Sequence, residues 1–173
     1  GTFTTNVVKA APVLWDMEVV ENNPYAQAVV VNSGIANACT GKIGYGYCLE
    51  TAEAVSKALQ IPKESVLIAS TGVIGMQLKM DKLKAGVVKL AEAKEATLEA
   101  GHQAAKAIMT TDTVSKEVAV QFEVDGVTVT VGGMCKGSGM IHPNMCTMLG
   151  FVTTDIAISK ELLTEAVKAD VID

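Results

Sequence analysis

The sequence predicts a mixed fold of layered strands and helices, α/β or α+β in class. Three observations point there. Val66-Leu67-Ile68-Ala69 is an unbroken apolar run suited to a strand covered on both faces. Ala52, Val55, Ala58 and Leu59 recur at helical spacing just before it. Asp125-Gly126, set between alternating stretches at 116–122 and 127–131, is a strong signal for a two-residue hairpin. No internal repeat or linker separates these patterns, so one domain over residues 1–173 is expected, as the N-terminal part of a longer precursor.

Taken in order, residues 26–31 read as a short buried strand ending in three valines, and Asn32-Ser33-Gly34 is expected to break it. Gly34, Gly41, Gly44 and Gly46 then fall in a segment rich in Asn, Ala and Thr. This reads as a loop whose backbone can approach a ligand, or as ordinary connecting chain. The helix through Ala52 and Leu59 is expected to stop at Pro62. The strand at 66–69 hands over to Ser70-Thr71-Gly72-Val73-Ile74-Gly75, read as a loop. Asp81 is a candidate N-cap for a long helix with Leu83, Val87 and Leu90 on one face, running toward Met109 with Gly101 as its interruption. After the hairpin, residues 132–140 form a second glycine cluster. Residues 147–153 read as another buried strand, and Ser159 as the cap of a final helix bearing Leu162, Leu163, Ala166 and Val167.

Composition removes several function classes. Apolar residues make up 49% of the chain and aromatic ones only 4%, so the core is expected to be aliphatic. A formal charge of −5 disfavours a nucleic-acid phosphate backbone as partner. No apolar stretch has the ~20 residues that span a bilayer, and the first residues have neither the basic start nor the apolar centre of a signal peptide. The reading is a soluble protein of a reducing compartment. Cys39, Cys48, Cys135 and Cys146 contain no C-x-x-C spacing and are expected to be buried free thiols.

The usual reagents are scarce. His102 falls in a helical stretch and His142 beside a proline, with no zinc-site spacing, so no metal is expected. A G-x-S-x-G elbow does not occur, and Lys136 precedes its glycine, so neither a serine hydrolase nor a phosphate loop is supported. The segments at 70–75 and 136–139 instead combine glycines, hydroxyls and a cation, the parts of an anion or oxyanion site. Thr147 stands where the second segment enters a strand. Its hydroxyl needs a base, and its own α-amine would serve if the preceding bond were cut, since an α-amine titrates at about 7.7 to 8.0. Lys136 is a candidate cation for depressing that value.

Lys136-Gly137-Ser138-Gly139-Met140-Ile141, Pro143-Asn144-Met145 and Thr147-Met148-Leu149 together resemble the self-cleavage segment of the ornithine acetyltransferase family, also called bifunctional glutamate N-acetyltransferase of arginine biosynthesis. Further blocks in the same order resemble that family: Phe3-Thr4-Thr5-Asn6 with Lys9-Ala10-Ala11-Pro12-Val13, Asn32-Ser33-Gly34 with 36–41, 70–75, and Thr110-Thr111-Asp112-Thr113. The resemblance implies the layered fold of these self-cleaving, Thr-nucleophile enzymes. It implies cleavage between Cys146 and Thr147, giving an α chain over 1–146 and a β chain starting at 147, in an α2β2 assembly. The family usually has alanine where Cys146 stands.

By the same resemblance, Thr147 attacks the acetyl group of N-acetylornithine and passes it to glutamate. Thr71 and Gly72 match the pair that holds the oxyanion, and Thr113 and Lys136 match substrate-contacting positions. No cofactor is implied, although acetyl-CoA can replace the first donor in some members. The compartment implied is the cytoplasm, or an organelle for a eukaryotic source. Read without the resemblance, Thr113 is a helix-ending turn and Lys136 a solvated lysine. Two other functions are weighed beside the transferase: an amidohydrolase or aminopeptidase of the same self-cleaving fold, and a noncatalytic binding domain. Cys146 as nucleophile, with His142 as its partner, is the alternative at the junction.

Overall fold

The computed structural model describes residues 1–140 and 148–172. They form mixed helix and strand, as expected, and divide into two compact units where the sequence reading has one domain. One is Thr5–Ala100; the other is Gly101–Asp173 with Gly1–Thr4.

The first unit is built on a parallel pair of strands. Helix α1 (Ala11–Asn22) accommodates Pro12 in its first turn, where a missing N–H costs nothing. Ala11, Trp15 and Val19, spaced by four, put one face into the core. Strand β1 (Ala28–Ile35) leads into α2 (Gly41–Leu59), and a 3-10 turn at Lys63–Ser65 into β2 (Val66–Val73). The two strands pair in register from Ala28 opposite Val66 to Ile35 opposite Val73. Helix α3 (Met80–Ala93) packs on α2 and adds Val87 to the core of Trp15, Val19, Cys48, Ala52, Val55, Val66 and Ile68. That core is aliphatic apart from Cys48 and Trp15, and the Trp15 ring meets Tyr45 edge to face at 6.5 Å.

Helix α1 also completes the hydrogen bonding of β2. Trp15 Nε1 donates to the Val66 carbonyl at 2.9 Å, and the Ile68 amide donates to Asp16 Oδ1 at 2.8 Å. Two main-chain groups on the edge of β2 away from β1, the Val66 carbonyl and the Ile68 amide, are thereby satisfied without a third strand.

Helix α4 (Leu98–Ala107) runs from the last residues of the first unit into the second, where it precedes an antiparallel sheet in the order β3, β4, β5. Strands β3 (Lys116–Val124) and β4 (Val127–Lys136) are joined by Asp125-Gly126. Both turn residues have positive φ, the requirement of the hairpin turn that the sequence announces. Strand β5 (Leu149–Thr154) pairs with β4, and Ser159 Oγ accepts the Leu162 amide to cap α5 (Lys160–Ile172).

Several expectations are corrected. Asn32-Ser33-Gly34 and Ser70-Thr71-Gly72 do not break their strands; they are paired residues within β1 and β2. Gly41, Gly44 and Gly46 lie in α2, not in a loop, because that helix buries Cys48, Thr51, Ala52 and Val55 and their packing outweighs the glycines' low propensity. Helix α2 ends before Pro62 as expected, at a left-handed Gln60. The long helix expected from Asp81 is two helices that part between Ala93 and Leu98, with Gly101 inside the second. Residues 132–136 of the second glycine cluster belong to β4. Helix α1 has no counterpart in the sequence reading.

Candidate functional site

In the first unit, the ends of β1 and β2 bring two of the singled-out segments side by side. Asn32 faces Ser70, Ser33 faces Thr71, and Gly34 faces Gly72. A Cβ on Gly72 would stand 2.7 Å from the Ile35 nitrogen and closer still to the Gly34 carbonyl, and φ at Gly72 is +133°. Position 72 therefore requires glycine twice over, for space and for conformation. Thr71 is buried, with 4% of its surface accessible, and Gly72 is half-buried.

A polar network holds this strand end. Ser70 Oγ donates to Asn32 Oδ1 at 2.7 Å and accepts the Asn37 amide at 2.9 Å. Asn37, only 1% accessible, donates through Nδ2 to the Gly44 carbonyl at 2.8 Å and accepts from Thr40 Oγ1 at 2.7 Å. The Ala36 amide bonds the Val73 carbonyl, and the Gly75 amide the Ala38 carbonyl. Residues 36–38 are thus tied to both ends of the Ser70–Gly75 stretch. Such a network, with each member paired, rigidifies the backbone that carries Thr71 and Gly72.

The thiols separate by environment. Cys48 lies in the core, its thiol pushed up to about 12 by burial and by the nearby Asp16 charge, against a hydrogen bond from Asn37. It remains a neutral thiol at physiological pH. Cys39 is exposed and Cys135 half-buried, so of the three described cysteines only Cys48 matches the expectation of burial.

In the second unit, the segment after α4 meets the end of β4. Asp112, whose side chain has no accessible surface, accepts hydrogen bonds from the Gly137 amide at 2.8 Å and the Thr110 amide at 3.2 Å, and pairs with Lys116 Nζ at 2.6 Å. These donors hold its carboxyl well below the usual carboxylate range, the Lys116 ammonium most of all and the Gly137 amide next. Thr111 Oγ1 and Ser138 Oγ share a hydrogen bond at 2.8 Å, a second tie between the same segments. Lys136 is 5% accessible, so it is a buried cation and not the solvated lysine of the plain reading. Thr113 is exposed in a bend beside Asp112.

Thr113 and Lys136 are therefore on segments that Asp112 fastens together, and Thr71 and Gly72 are on one strand end of the other unit. Thr147, Cys146 and His142 lie outside the described residues. Among the described residues no three His, Cys, Asp or Glu side chains gather as metal ligands would, and no helix is long and apolar enough to cross a membrane. His102 pairs with Glu117 of β3.

Sequence reasoning assigned no role to Asp112, Asn37 or Ser70. Each lies inside or beside a block that carries the family resemblance. The available signal was polarity out of place: an amide between Ala36 and Ala38, and an acid between two threonines at the approach to a strand.

Comparison with known proteins follows the same architecture. The chain is 50% identical to the arginine biosynthesis bifunctional protein ArgJ of Thermotoga neapolitana over 174 residues, all of this chain and 43% of that one. It is 47% identical to the chloroplastic ArgJ of Sorghum bicolor over 171 residues, 99% of this chain and 37% of that one. The chain thus spans about two fifths of the length of these relatives. Among solved structures, ArgJ from Bacillus halodurans superposes with a TM-score of 0.77 at 46% identity, covering 85% of this chain and 74% of that one. Ornithine acetyltransferase from Mycobacterium tuberculosis, complexed with ornithine, gives 0.71 at 42% identity, covering 86% and 76%. The ArgJ family profile matches residues 1–173, and the chain belongs to that family.

Proposed function

We propose that the polypeptide carrying this chain moves an acetyl group from N-acetylornithine to glutamate, using Thr147 freed by cleavage after Cys146. The observation that carries this reading is the fold shared, at 42% identity, with an ornithine acetyltransferase that binds ornithine. Lys136 supports it: a buried ammonium beside glycine backbone suits the carboxylate of an amino-acid substrate.

In the first half-reaction the Thr147 hydroxyl gives its proton to its own α-amine as Oγ bonds to the acetyl carbon. The tetrahedral oxyanion is taken by the Thr71 hydroxyl and the Gly72 amide. The C–N bond then breaks, and ornithine leaves with the proton from the α-amine. The glutamate amine attacks the resulting ester, and Thr147 Oγ departs with a proton returned to it. The strand geometry favours Gly72 as a donor. Main-chain amides alternate sides along a strand. Ile68 sends its amide away from β1, toward Asp16. The Gly72 amide falls on the same edge by that alternation.

The cycle needs no cofactor, with acetyl-CoA as a second acetyl donor. The partners are the β chain of the same precursor and a second α/β pair, in an α2β2 assembly. The compartment is the cytoplasm, or an organelle for a eukaryotic source.

Two measurements test the reading. The purified full-length protein is expected to yield a fragment beginning at Thr147, and Thr147→Ala an uncut precursor with no transfer. Labelled acetyl is expected to pass from N-acetylornithine to glutamate. Release of acetate with no labelled N-acetylglutamate would replace the transferase by a hydrolase, and an intact junction after prolonged incubation would remove Thr147 from its role.

A further inference from the structure

We infer that Asp112 is the positioning residue of the substrate site, fastening the Thr113 bend to the Lys136-Gly137 backbone so that both present a fixed geometry to the amino-acid part of the substrate. The inference rests on the acetyl-transfer reading, in which Thr113 and Lys136 touch substrate.

Asp112 belongs to neither regular element around it. It stands in the connection between α4 and β3, yet its side chain is sealed from solvent, an unusual place for an acid unless every oxygen is used. Its partners account for that burial. Oδ1 takes the Gly137 amide and the Lys116 ammonium, and Oδ2 takes the Thr110 amide.

The Thr110 bond closes a local turn that sets the direction in which Thr113 leaves. The Gly137 bond spans 25 residues of sequence and fixes the peptide immediately after Lys136, at the point where β4 ends. One carboxylate therefore holds the main chain next to both candidate contacts. The Thr111–Ser138 hydroxyl bond, one residue from each anchor, prevents rotation about that single link.

Lys116 has a different part. Its side chain is 38% accessible and lies four residues along the chain, so its ammonium neutralises the carboxylate from the solvent side, while its main chain pairs with Cys135 in the sheet whatever the side chain. Its loss leaves both main-chain hooks in place.

The test uses Asp112→Ala, Asp112→Asn and Lys116→Ala in the full-length polypeptide, with kcat and KM for N-acetylornithine measured beside thermal melting. Asp112→Ala is expected to lower kcat/KM by about 10²-fold, a loss typical of small misplacement around a reacting group, with most of it in KM. Asp112→Asn keeps an oxygen for the Gly137 amide but sets an N–H against Thr110, and is expected to recover about tenfold of that loss. Lys116→Ala is expected to stay within about threefold of the parent.

A folded Asp112→Ala with parental kcat/KM overturns the inference, as does a Lys116→Ala as damaged as Asp112→Ala, which would make the ion pair the agent. If Asp112→Ala does not fold, the other two decide. A tenfold loss in Asp112→Asn with Lys116→Ala near parental supports the inference, and equal values in both overturn it. A parent that transfers no acetyl group overturns the functional reading, and this inference with it, whereas an active parent with an undisturbed Asp112→Ala overturns the inference alone.

Discussion

Gly72 stands against Gly34 across the parallel β1–β2 pair with no room between them for a side chain. The contact joins two segments that are 38 residues apart and places the Thr71-Gly72 peptide at the very end of the paired strands.

Gly72→Ala is expected to destabilise the fold by at least about 3 kcal/mol, because its Cβ meets main chain that cannot move aside. Gly75 separates the two causes: its φ is +84°, but nothing lies within 4 Å of a Cβ there. Gly75→Ala is expected to cost about 1 to 2 kcal/mol, the conformational part alone. Urea denaturation of the two variants checks the difference; equal losses would show that crowding at Gly34 contributes nothing.

Burial pushes the Asp16 carboxyl up to about 7, partly opposed by the Ile68 amide it accepts. A carboxyl whose folded value lies above its unfolded value of 3.8 binds more protons folded than unfolded in between. Its contribution is fully present below about pH 4 and is lost as pH rises through 7. Asp16→Asn retains an oxygen for Ile68 and carries no charge. It is expected to flatten the pH dependence between 4 and 8 and to raise stability at pH 8 by on the order of 2 to 4 kcal/mol. Melting profiles across that range that coincide with the parent's would refute the assignment.

Trp15 contributes a hydrogen bond as well as a ring. Trp15→Phe keeps most of the apolar volume and leaves the Val66 carbonyl, in a residue with no accessible surface, without its indole donor. A loss of about 1 to 3 kcal/mol is expected, the cost of an unpaired buried acceptor. Hydrogen exchange along β2 is the sensitive measurement, and unchanged protection there would show that water replaces the indole.

Local patterns were legible where neighbouring residues alone set the conformation. Asp125 and Gly126 adopt positive φ because the two-residue turn demands it, and no distant contact is needed. Val66 and Ile68 are buried, as their apolar run required. The turn-forming triplets 32–34 and 70–72 misled because each is held extended by the other, through the Ser70–Asn32 bond and the glycine pair. The start of α2 misled for a related reason: glycines at 41, 44 and 46 are poor helix formers, but the residues that follow bury one face and carry them along.

Family membership and the candidate residues Thr71, Gly72, Thr113, Lys136, Cys146 and Thr147 were set by the sequence itself, through short blocks whose order and chemistry are specific. Tertiary structure alone decided that Asp112 faces the Gly137 amide, that Lys136 is buried, and that Gly34 leaves space for nothing but glycine at 72. The physical reason is range. A motif records which side chains are present, whereas burial and hydrogen-bond partnership depend on main chain brought in from tens of residues away.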